Sequence, residues 1–418
     1  MSAVVAAGSR WVVPGNRWDL LPAPVEPPHV TAVVLHYRDP ARLALVLAAL
    51  DLQTHPASRL QVVVADDGSD PLPDVPAHVT LVSQDDRGFR AAAARNLGAA
   101  VADGEVICFL DGDTVPEPGY IAAAAALPAV CDDVLVVGRR RHADLSGWRP
   151  DDLSRWFGGG RGPRELTEPG WLIDGYRGSR DLLDADDRSY RYVISAVLTV
   201  HRDLLAATAG FDETFTGYGG EDWEFAHRAF TAGAVLAHRR DAVAWHDGPD
   251  WGEREGGTPE GRAQKVRETA ALAARIPDRV ARGGAFHAEA PGLLAEITGG
   301  STADRIATTR SLLGAREDVQ VLLDRETAAA VDDQRITSEP VDPRIMQRIP
   351  YRLQVAAPAT LQGVDDLLER VARAGAGRVV TADGAVTVTA TRAQNRSARH
   401  GVELDRLFPA LTVPSLCR

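Results

Sequence analysis

The 418-residue sequence contains few cysteines, few aromatic residues and no long uncharged apolar run. Its three cysteines, Cys108, Cys131 and Cys417, are scattered without the spacing of metal ligands, which favours a reducing, cytoplasmic location. No uncharged stretch approaches the roughly 18 residues that a membrane-spanning helix requires. We therefore expect no transmembrane segment and, at most, peripheral contact with a membrane.

Basic residues are also in the minority. The chain has 46 Lys and Arg against 58 Asp and Glu, a net charge of −12. Nucleic-acid binding needs a basic surface that this chain as a whole does not supply, so we expect no nucleic-acid partner, although a local basic patch stays open. The length predicts about two or three domains, and the apolar content is sufficient for real cores.

From residue 30 onward, short apolar runs alternate with helical stretches, which is typical of a parallel sheet. The sequence therefore predicts an α/β fold, Rossmann-like, with a mostly parallel central sheet and helices on both faces. The predicted strands are VTAVVLHY (30–37), LQVVVADDGSD (60–70), VTLVSQ (79–84) and EVICFLDGD (105–113), with helices in DPARLALVLAALDLQ (39–53) and GFRAAAARNLGAAVADG (88–104).

The pattern along the chain predicts several segments. Residues 1–29 are read as an N-terminal extension and 30–260 as the principal α/β domain. Within that domain, 142–190 loses its periodicity and is interpreted as an insertion or lid. Residues 261–300 are predicted to be a helical linker, and 301–418 a small accessory α/β domain without a chemical motif.

The stretch FLDGDTVP (109–116) places Asp111 and Asp113 directly after a predicted strand. Two carboxylates this close repel each other unless water or a shared cation intervenes. Parallel strands bring their carboxyl ends to one rim, where ligands bind. A divalent cation that also binds phosphate oxygens would suit this pair, although Asp-Gly-Asp is also ordinary turn chemistry.

Two later motifs add to this rim. GYGGEDWE (217–224) sets glycines, which permit close approach of a ligand, before acids that could equally complement a helix N-terminus. In VAWHDG (243–248) a predicted strand ends in His246. This histidine could be structural, or it could favour Mn²⁺ or another transition ion over Mg²⁺. GRRRH (138–142) could attract a diphosphate or form a solvated basic face.

In this order, the motifs resemble those of GT-A glycosyltransferases of the family 2 type and of the related galactosyl- and N-acetylgalactosaminyl-transferase modules. The resemblance covers about residues 30–250. It implies a GT-A fold and a metal-dependent, inverting transfer of a sugar from a nucleotide sugar, most often a UDP-sugar, to an acceptor hydroxyl by direct displacement. The motifs are VVLHYRDP, VVVADDGSD, RGFRAAAARNLGAAVADGEVICFLDGDTVP, AGFDETFTGYGGEDWEFAHRAFTAGA and the late WH.

The resemblance also implies roles for individual residues. Asp222 would be the catalytic base and Glu221 would hold an acceptor hydroxyl, with Trp223 beside them in the acceptor site. Asp113 and His246, with Asp111, would bind the divalent metal, Mn²⁺ in preference to Mg²⁺. The residues implied to bind the nucleotide sugar are His36, Tyr37, Arg38, Asp66, Asp67, Arg90, Arg95, Asp111 and Gly112.

Two other functions were weighed. One is a catalytically silent relative that binds a nucleotide or glycan; the other is a sugar-nucleotide pyrophosphorylase, which would need a glycine-rich loop that VVLHYRDPARL lacks. The donor sugar, the nucleobase and the oligomeric state stay open. The acceptor could be a glycan, a glycolipid or a small molecule. Trp148, Trp156 and Trp171 could stack on sugars, but a hydrophobic cluster is the favoured interpretation.

Overall fold

The computed structural model describes residues 5–7, 10–250, 258–278, 281 and 290–415, which form two α/β units with separate sheets. Short 3₁₀ turns lie at Trp18–Leu20, Ala57–Arg59 and Ser189–Tyr192. The strands are β1 Val5–Ala7, β2 Arg10–Val12, β3 Val30–His36, β4 Leu60–Asp66, β5 Thr80–Ser83, β6 Val106–Asp111, β7 Thr114–Pro116, β8 Val134–Asp144, β9 Arg164–Leu166, β10 Val197–His201, β11 Val235–Asp247, β12 Leu293–Ile297, β13 Gln320–Leu322, β14 Ile336–Thr337, β15 Tyr351–Val355, β16 Arg378–Thr381, β17 Val386–Ala390 and β18 Ala410–Val413. The α-helices are α1 Pro40–Asp51, α2 Ala91–Ala100, α3 Tyr120–Ala125, α4 Pro150–Phe157, α5 Gly170–Gly178, α6 Arg202–Ala207, α7 Glu221–Thr231, α8 Pro259–Arg275, α9 Thr302–Ala315, α10 Arg325–Ala329, α11 Pro343–Met346, α12 Val364–Ala374, α13 Thr391–His400 and α14 Leu404–Leu407.

The first sheet has the order β5-β4-β3-β6-β10-β8-β11-β7, with β9 attached to β8. Strands β3, β4, β5, β6, β8 and β11 run in one direction, whereas β7, β9 and β10 run in the other. This confirms the predicted, mostly parallel sheet. The antiparallel β10 is inserted between β6 and β8, and the carboxyl ends of six strands still meet at one edge.

Local sequence explains the first half of this sheet. Every residue of β3 except Leu35 is buried, as expected for a strand covered on both faces. Helix α1 begins where the Asp39 side chain accepts a hydrogen bond from the backbone N–H of Arg42 at 3.1 Å, with Pro40 in the first turn. The predicted strands and helices between residues 30 and 113 are all present.

The 142–190 stretch, interpreted as an insertion or lid, contains α4, β9, α5 and a 3₁₀ turn. Two of its tryptophans belong to the core. The ring of Trp156 lies 5.6 Å from that of Trp148 and 5.4 Å from that of Trp245, between ring centroids. This supports the hydrophobic-cluster interpretation for Trp148 and Trp156, whereas Trp171 on α5 is exposed.

The second unit is a seven-stranded sheet in the order β14-β13-β12-β15-β17-β16-β18, with its own hydrophobic core. Its interior strand β12 lies inside the 261–300 stretch predicted as a helical linker, so this unit begins before residue 301. Helix α8 is present as predicted in the linker. The sequence LLAEI of β12 is short and includes a glutamate, which gave no strand signal without knowledge of its neighbours β13 and β15.

The two units are joined by buried polar contacts. Arg396 on α13 is fully buried and donates to four backbone carbonyls. Those carbonyls belong to Val13, Gly15, Gly233 and Ala234, so the predicted N-terminal extension lies between the two units. Within the described residues, no helix is both long and apolar enough to cross a membrane.

Candidate active site

The predicted rim residues converge at the carboxyl edge of the first sheet. Strands β3, β4 and β6 are parallel neighbours, and they end at His36, Asp66 and Asp111. In the other half, β8 and β11 are paired in parallel so that His142 and His246 are adjacent. The short β7 pairs with β11 and sets Thr114 opposite His246, which places Asp113 beside that histidine. The topology therefore brings the sequence-distant motifs to one edge.

Asp66 is fully buried and organises the loop that follows β4. Its carboxylate accepts hydrogen bonds from the backbone N–H and hydroxyl of Ser69, at 2.8 and 2.6 Å, and from the Ser83 hydroxyl at 2.9 Å. The Nδ1–H of His36 donates to it at 2.8 Å, while His36 Nε2 accepts from the backbone N–H of Asp39. Asp66 and His36 were expected to touch the nucleotide, but these contacts commit both side chains to protein groups.

The adjacent Asp67 is also buried and accepts from the backbone N–H of Arg90 at 2.8 Å and from the side chain of Gln84. Burial raises the pKa of Asp67. Tyr37 and Arg38 have accessible side chains, and both contact Asp86, at 3.3 and 2.8 Å. Of the residues expected to bind the nucleotide, Tyr37 and Arg38 are therefore the ones most open to a ligand.

Arg95 joins two motifs that are distant in sequence. Its guanidinium is buried and pairs with Asp111 at 2.7 Å and with Glu221 at 2.9 Å. Burial lowers the pKa of Arg95, but the charges of the two carboxylates outweigh it and raise the value. The resemblance implied contact between Arg95 and the donor. In the structure, the buried Arg95 side chain joins the DGD motif to the GGED motif.

Asp113 and His246 lie beside each other, with Asp113 Oδ2 3.4 Å from His246 Nε2. The Nδ1 of His246 is 3.2 Å from the Gly248 carbonyl, which can only accept, so Nδ1–H donates to it and Nε2 is directed toward Asp113. Burial raises the pKa of Asp113, but His246 and the charges of Arg42 and Arg140 outweigh it and lower the value to about 2. A carboxylate oxygen and an imidazole nitrogen this close can share a divalent cation, and this donor set fits Mn²⁺.

Sequence reasoning missed three residues next to this pair. His142 is fully buried, its Nδ1 donates to the same Gly248 carbonyl at 3.0 Å, and its ring lies 4.9 Å from that of His246. Burial lowers the pKa of His142 to about 4, so the ring is neutral at physiological pH. Arg42 pairs with Asp247 at 2.7 Å. GRRRH contained a signal for His142, but it was read only as a basic run. Asp247 follows His246 in VAWHDG and was given no role, and Arg42 had no motif signal.

Two glycines of the motifs have steric roles. A Cβ at Gly112 would lie 2.6 Å from the carbonyl oxygen of Leu35, so the glycine between the two aspartates is required by the close approach of β3. Gly220 has φ +97° and stands at the N-cap of α7, where side chains other than glycine are strained. The resemblance implied donor contact for Gly112; the structure shows a packing reason for it.

Glu221 and Asp222 open α7 and differ in their surroundings. One oxygen of Glu221 is held by Arg95, whereas Oε2 is buried and has no hydrogen-bond partner among the described residues. Burial and the charge of Glu221 raise the pKa of the neighbouring Asp222 to about 7. A carboxyl with this pKa exchanges protons readily near neutral pH, as a general base must. The orphan oxygen of Glu221 can accept a hydroxyl hydrogen.

Aromatic side chains border this acidic pair. Trp223 is partly buried, and its ring centroid lies 6.4 Å from that of the exposed Trp171 and 6.0 Å from that of Tyr190. The ammonium of Lys265 on α8 lies 5.6 Å from the centre of the Trp223 ring. Trp223 is therefore packed among other aromatic residues while keeping part of its surface near the acids.

Comparison with known proteins agrees with this site. Residues 31–180 match the glycosyl transferase family 2 model, and residues 184–241 match the model described as the N-terminal domain of galactosyltransferase. The matched segments contain the DGD and GGED motifs and the strands that position them. Residues 31–180 are therefore similar to glycosyl transferase family 2, and residues 184–241 are similar to a galactosyltransferase module. The sheet order confirms the predicted α/β fold with a mostly parallel central sheet.

Three curated relatives show how far the similarity extends. The chain is 27% identical over 259 residues to hyaluronan synthase of Pasteurella multocida, covering 55% of this chain and 26% of that protein. It is 28% identical over 246 residues to chondroitin synthase of Escherichia coli, covering 54% and 36%. It is 31% identical over 234 residues to validoxylamine A glucosyltransferase of Streptomyces hygroscopicus subsp. jinggangensis, covering 51% and 54%. The chain thus matches between about a quarter and a half of the length of these relatives.

Proposed function

We propose that this protein is an inverting glycosyltransferase that transfers a sugar from a nucleotide-sugar donor, preferably a UDP-sugar, to a hydroxyl group of an acceptor. The observation that carries the proposal is the Arg95 bridge, which fixes Asp111 of one motif and Glu221 of the other at a single edge of the sheet. The relatives named above are a hyaluronan synthase, a chondroitin synthase and a glucosyltransferase, which supports transfer of a sugar.

In this proposal, Asp113 and His246 hold a divalent cation, preferably Mn²⁺, with Asp111 nearby. When bound, such an ion offsets the negative charge that develops on the departing nucleoside diphosphate. Arg95 keeps Asp111 in place through their ion pair. The exposed side chains of Tyr37 and Arg38 border the region in which the nucleoside would lie, while Asp66, His36 and Asp67 maintain the loop around it.

On the other side of the reacting carbon, Asp222 takes the proton from the acceptor hydroxyl as that oxygen attacks. The pKa of about 7 suits this role because the carboxylate is ionised in a large fraction of molecules and is still basic. The free Oε2 of Glu221 accepts a second hydroxyl hydrogen and so orients the acceptor. A single displacement inverts the anomeric centre, and no covalent glycosyl-enzyme is needed.

The test is a panel of UDP-, dTDP- and GDP-sugars measured with Mn²⁺, with Mg²⁺ and with a chelator. We expect one donor to stabilise the protein against heat and to be hydrolysed slowly in a metal-dependent manner, because a ligand that binds the native state raises its stability. Stabilisation without turnover, even in the presence of acceptors, would favour the silent binding relative. No metal-dependent response to any donor would refute the proposal.

A further inference from the structure

A cavity of about 310 Å³ lies against α5, beside the candidate active site. One wall is apolar and is formed by Leu172, Ile173 and Ile194 together with the ring of Tyr176. The Tyr176 ring is stacked on His238, with 3.7 Å between the ring centroids and 3° between the planes. A flat, rigid, largely apolar wall of this kind suits the C–H face of a ring-shaped ligand.

The rest of the lining is rich in arginine, and we call the whole space the arginine cavity. Its lining includes four arginines but only two acids, Glu168 and Asp181. Those acids are already paired, Glu168 with Arg139 at 2.6 Å and Asp181 with Arg240 at 2.8 Å. The other two lining arginines, Arg140 and Arg177, pair with aspartates that do not line the cavity. Each of the four arginines thus has a carboxylate partner, but the lining itself contains four arginines and only two acidic side chains.

Two buried nitrogens of this lining also lack a hydrogen-bond partner among the described residues. They are Nε–H of Arg140, which is a donor, and Nε2 of His238, which is an acceptor because Nδ1–H of that ring donates to Asp181. The Arg140 side chain is 14% exposed, and its terminal nitrogen donates to Asp250 at 2.9 Å, so its head is fixed while Nε–H is left without an acceptor. Buried polar groups are usually satisfied, so such a donor is a reason to expect an acceptor atom supplied by a ligand.

The arginine cavity is close to both halves of the candidate active site. Arg140 on β8 lies two residues before His142, which is paired with His246 on β11. Helix α5 also carries Trp171, which contacts Trp223 next to Asp222. A ligand in the cavity would therefore lie near the group that is proposed to activate the acceptor.

From this geometry we propose that the arginine cavity binds the acceptor through a sugar-sized ring that carries a carboxylate or a phosphate group. The ring lies on the Leu172–Tyr176 wall, and the anionic group lies among the arginines. The proposal rests on the glycosyltransferase function proposed above and adds the substrate class: an acidic acceptor. Carboxylate and phosphate share the same chemistry here, since arginine recognises both through paired N–H donors.

The test compares binding of glucuronate, glucose 6-phosphate and glucose, each measured by ligand-observed NMR on the full chain with Mn²⁺ and donor nucleotide present. We expect at least one of the two anions to bind more tightly than glucose, and its advantage to fall with added salt. Binding of glucuronate alone would identify a carboxylate as the recognised group, and binding of glucose 6-phosphate alone a phosphate. Equal binding of all three sugars would overturn the proposal.

Two matched variants locate the site. Arg177→Glu reverses a cavity arginine, and Arg155→Glu reverses an arginine of α4 that does not line the cavity. Both side chains are 74% exposed and pair with an aspartate three residues earlier, so the two substitutions disturb their helices alike. We expect Arg177→Glu to weaken binding of the anionic sugar about tenfold, with Arg155→Glu unchanged. An equal effect of both variants would contradict a site in the cavity.

Binding of the donor nucleotide with Mn²⁺ is measured on the same samples, which separates this proposal from the one it rests on. Donor binding together with no preference for anionic sugars refutes the acidic acceptor and leaves the glycosyltransferase function standing. Absence of donor binding in the unaltered protein refutes the glycosyltransferase function itself.

Discussion

The two edges of the first sheet each carry an aspartate beside a histidine, but with different surroundings. At the carboxyl edge, Asp113 and His246 are 3.4 Å apart. At the opposite edge, Asp132 and His201 are 3.6 Å apart, and with Asp203 they form a group that could hold a metal ion. Geometry alone therefore does not distinguish the two pairs.

Neighbouring charges do distinguish them. Arg10 lies 3.2 Å from Asp132, and the Nδ1 of His201 accepts from the backbone N–H of Asp203, so the protein already supplies a cation and fixes the ring. Asp113, by contrast, has no ion pair with an arginine or lysine among the described residues. The comparison indicates that an aspartate–histidine pair is a candidate metal site where no arginine or lysine is paired with the aspartate.

The same contrast holds for two other carboxyls. Asp222 at the carboxyl edge has a raised pKa because of burial and the nearby Glu221. Asp133 at the opposite edge is buried too, yet its pKa is lowered because His400, Arg396 and Arg399 surround it. Among the described residues Asp222 has no ion pair with a basic side chain, whereas the buried charge of Asp133 is compensated by residues of the second unit.

The largest expected effect is on the candidate base. Asp222→Asn keeps the shape of the side chain but cannot accept the proton, so kcat should fall by about 10²- to 10⁴-fold. Donor binding, measured by thermal stabilisation with Mn²⁺, should be retained. Unchanged kcat in this variant would exclude Asp222 as the base.

The second prediction concerns Asp133. Removing one member of a buried ion cluster leaves the others uncompensated, which typically costs about 3–5 kcal/mol. Asp133→Asn should therefore lower the free energy of unfolding by that order, measured by urea denaturation, because Arg399 and His400 lose their partner. Asp222→Asn serves as the control and should show no comparable loss. Similar losses in both variants would remove the contrast between the two edges.

A third prediction separates the two aspartate–histidine pairs. Loss of groups that merely support a metal ligand costs about 10- to 100-fold in affinity, so loss of a direct ligand should cost at least that. Asp113→Asn should weaken Mn²⁺ binding in the presence of nucleotide by about 100-fold or more, as measured by calorimetry. Asp132→Asn is the matched substitution at the other edge and should leave this binding unchanged. The reverse result would move the metal site to the opposite edge.

The smallest expected effects are those of pH. With a pKa of about 7 for Asp222, the ionised fraction and the transfer rate should fall about tenfold between pH 8 and pH 6. Because the folded pKa is above the unfolded one, this carboxyl favours the folded state most below about pH 4 and loses that contribution as the pH rises through 7. The melting temperature of Asp222→Asn minus that of the unaltered protein should therefore be higher at pH 8 than at pH 5. An identical pH dependence of both proteins would contradict the assigned pKa.

Much of this arrangement could be predicted from sequence because it depends on strand direction. Apolar runs located the parallel strands, and parallel strands fix which residues share an edge, so the proximity of Asp113 and His246 was predictable in outline. The bridging role of Arg95 was not, since it depends on the packing of α2 between two distant motifs. The burial of Asp66 and His36 was missed because it depends on the packing of the loops after β3 and β4 and on Ser83, which lies outside the quoted motifs.

The second unit was harder to predict because its interior strand β12 is short and is stabilised by β13 and β15 on either side. The arginine cavity had no sequence signal either. Its residues come from β8, β11, α5 and the loops around them, and only the folded chain shows that they share one space.

The buried Arg396 has a practical consequence for protein engineering. Its four carbonyl partners belong to the N-terminal stretch and to the turn after α7, so a shortened version ending before residue 290 would expose those oxygens and the apolar surface around them. A chimeric protein that includes the first unit should therefore also include the C-terminal unit.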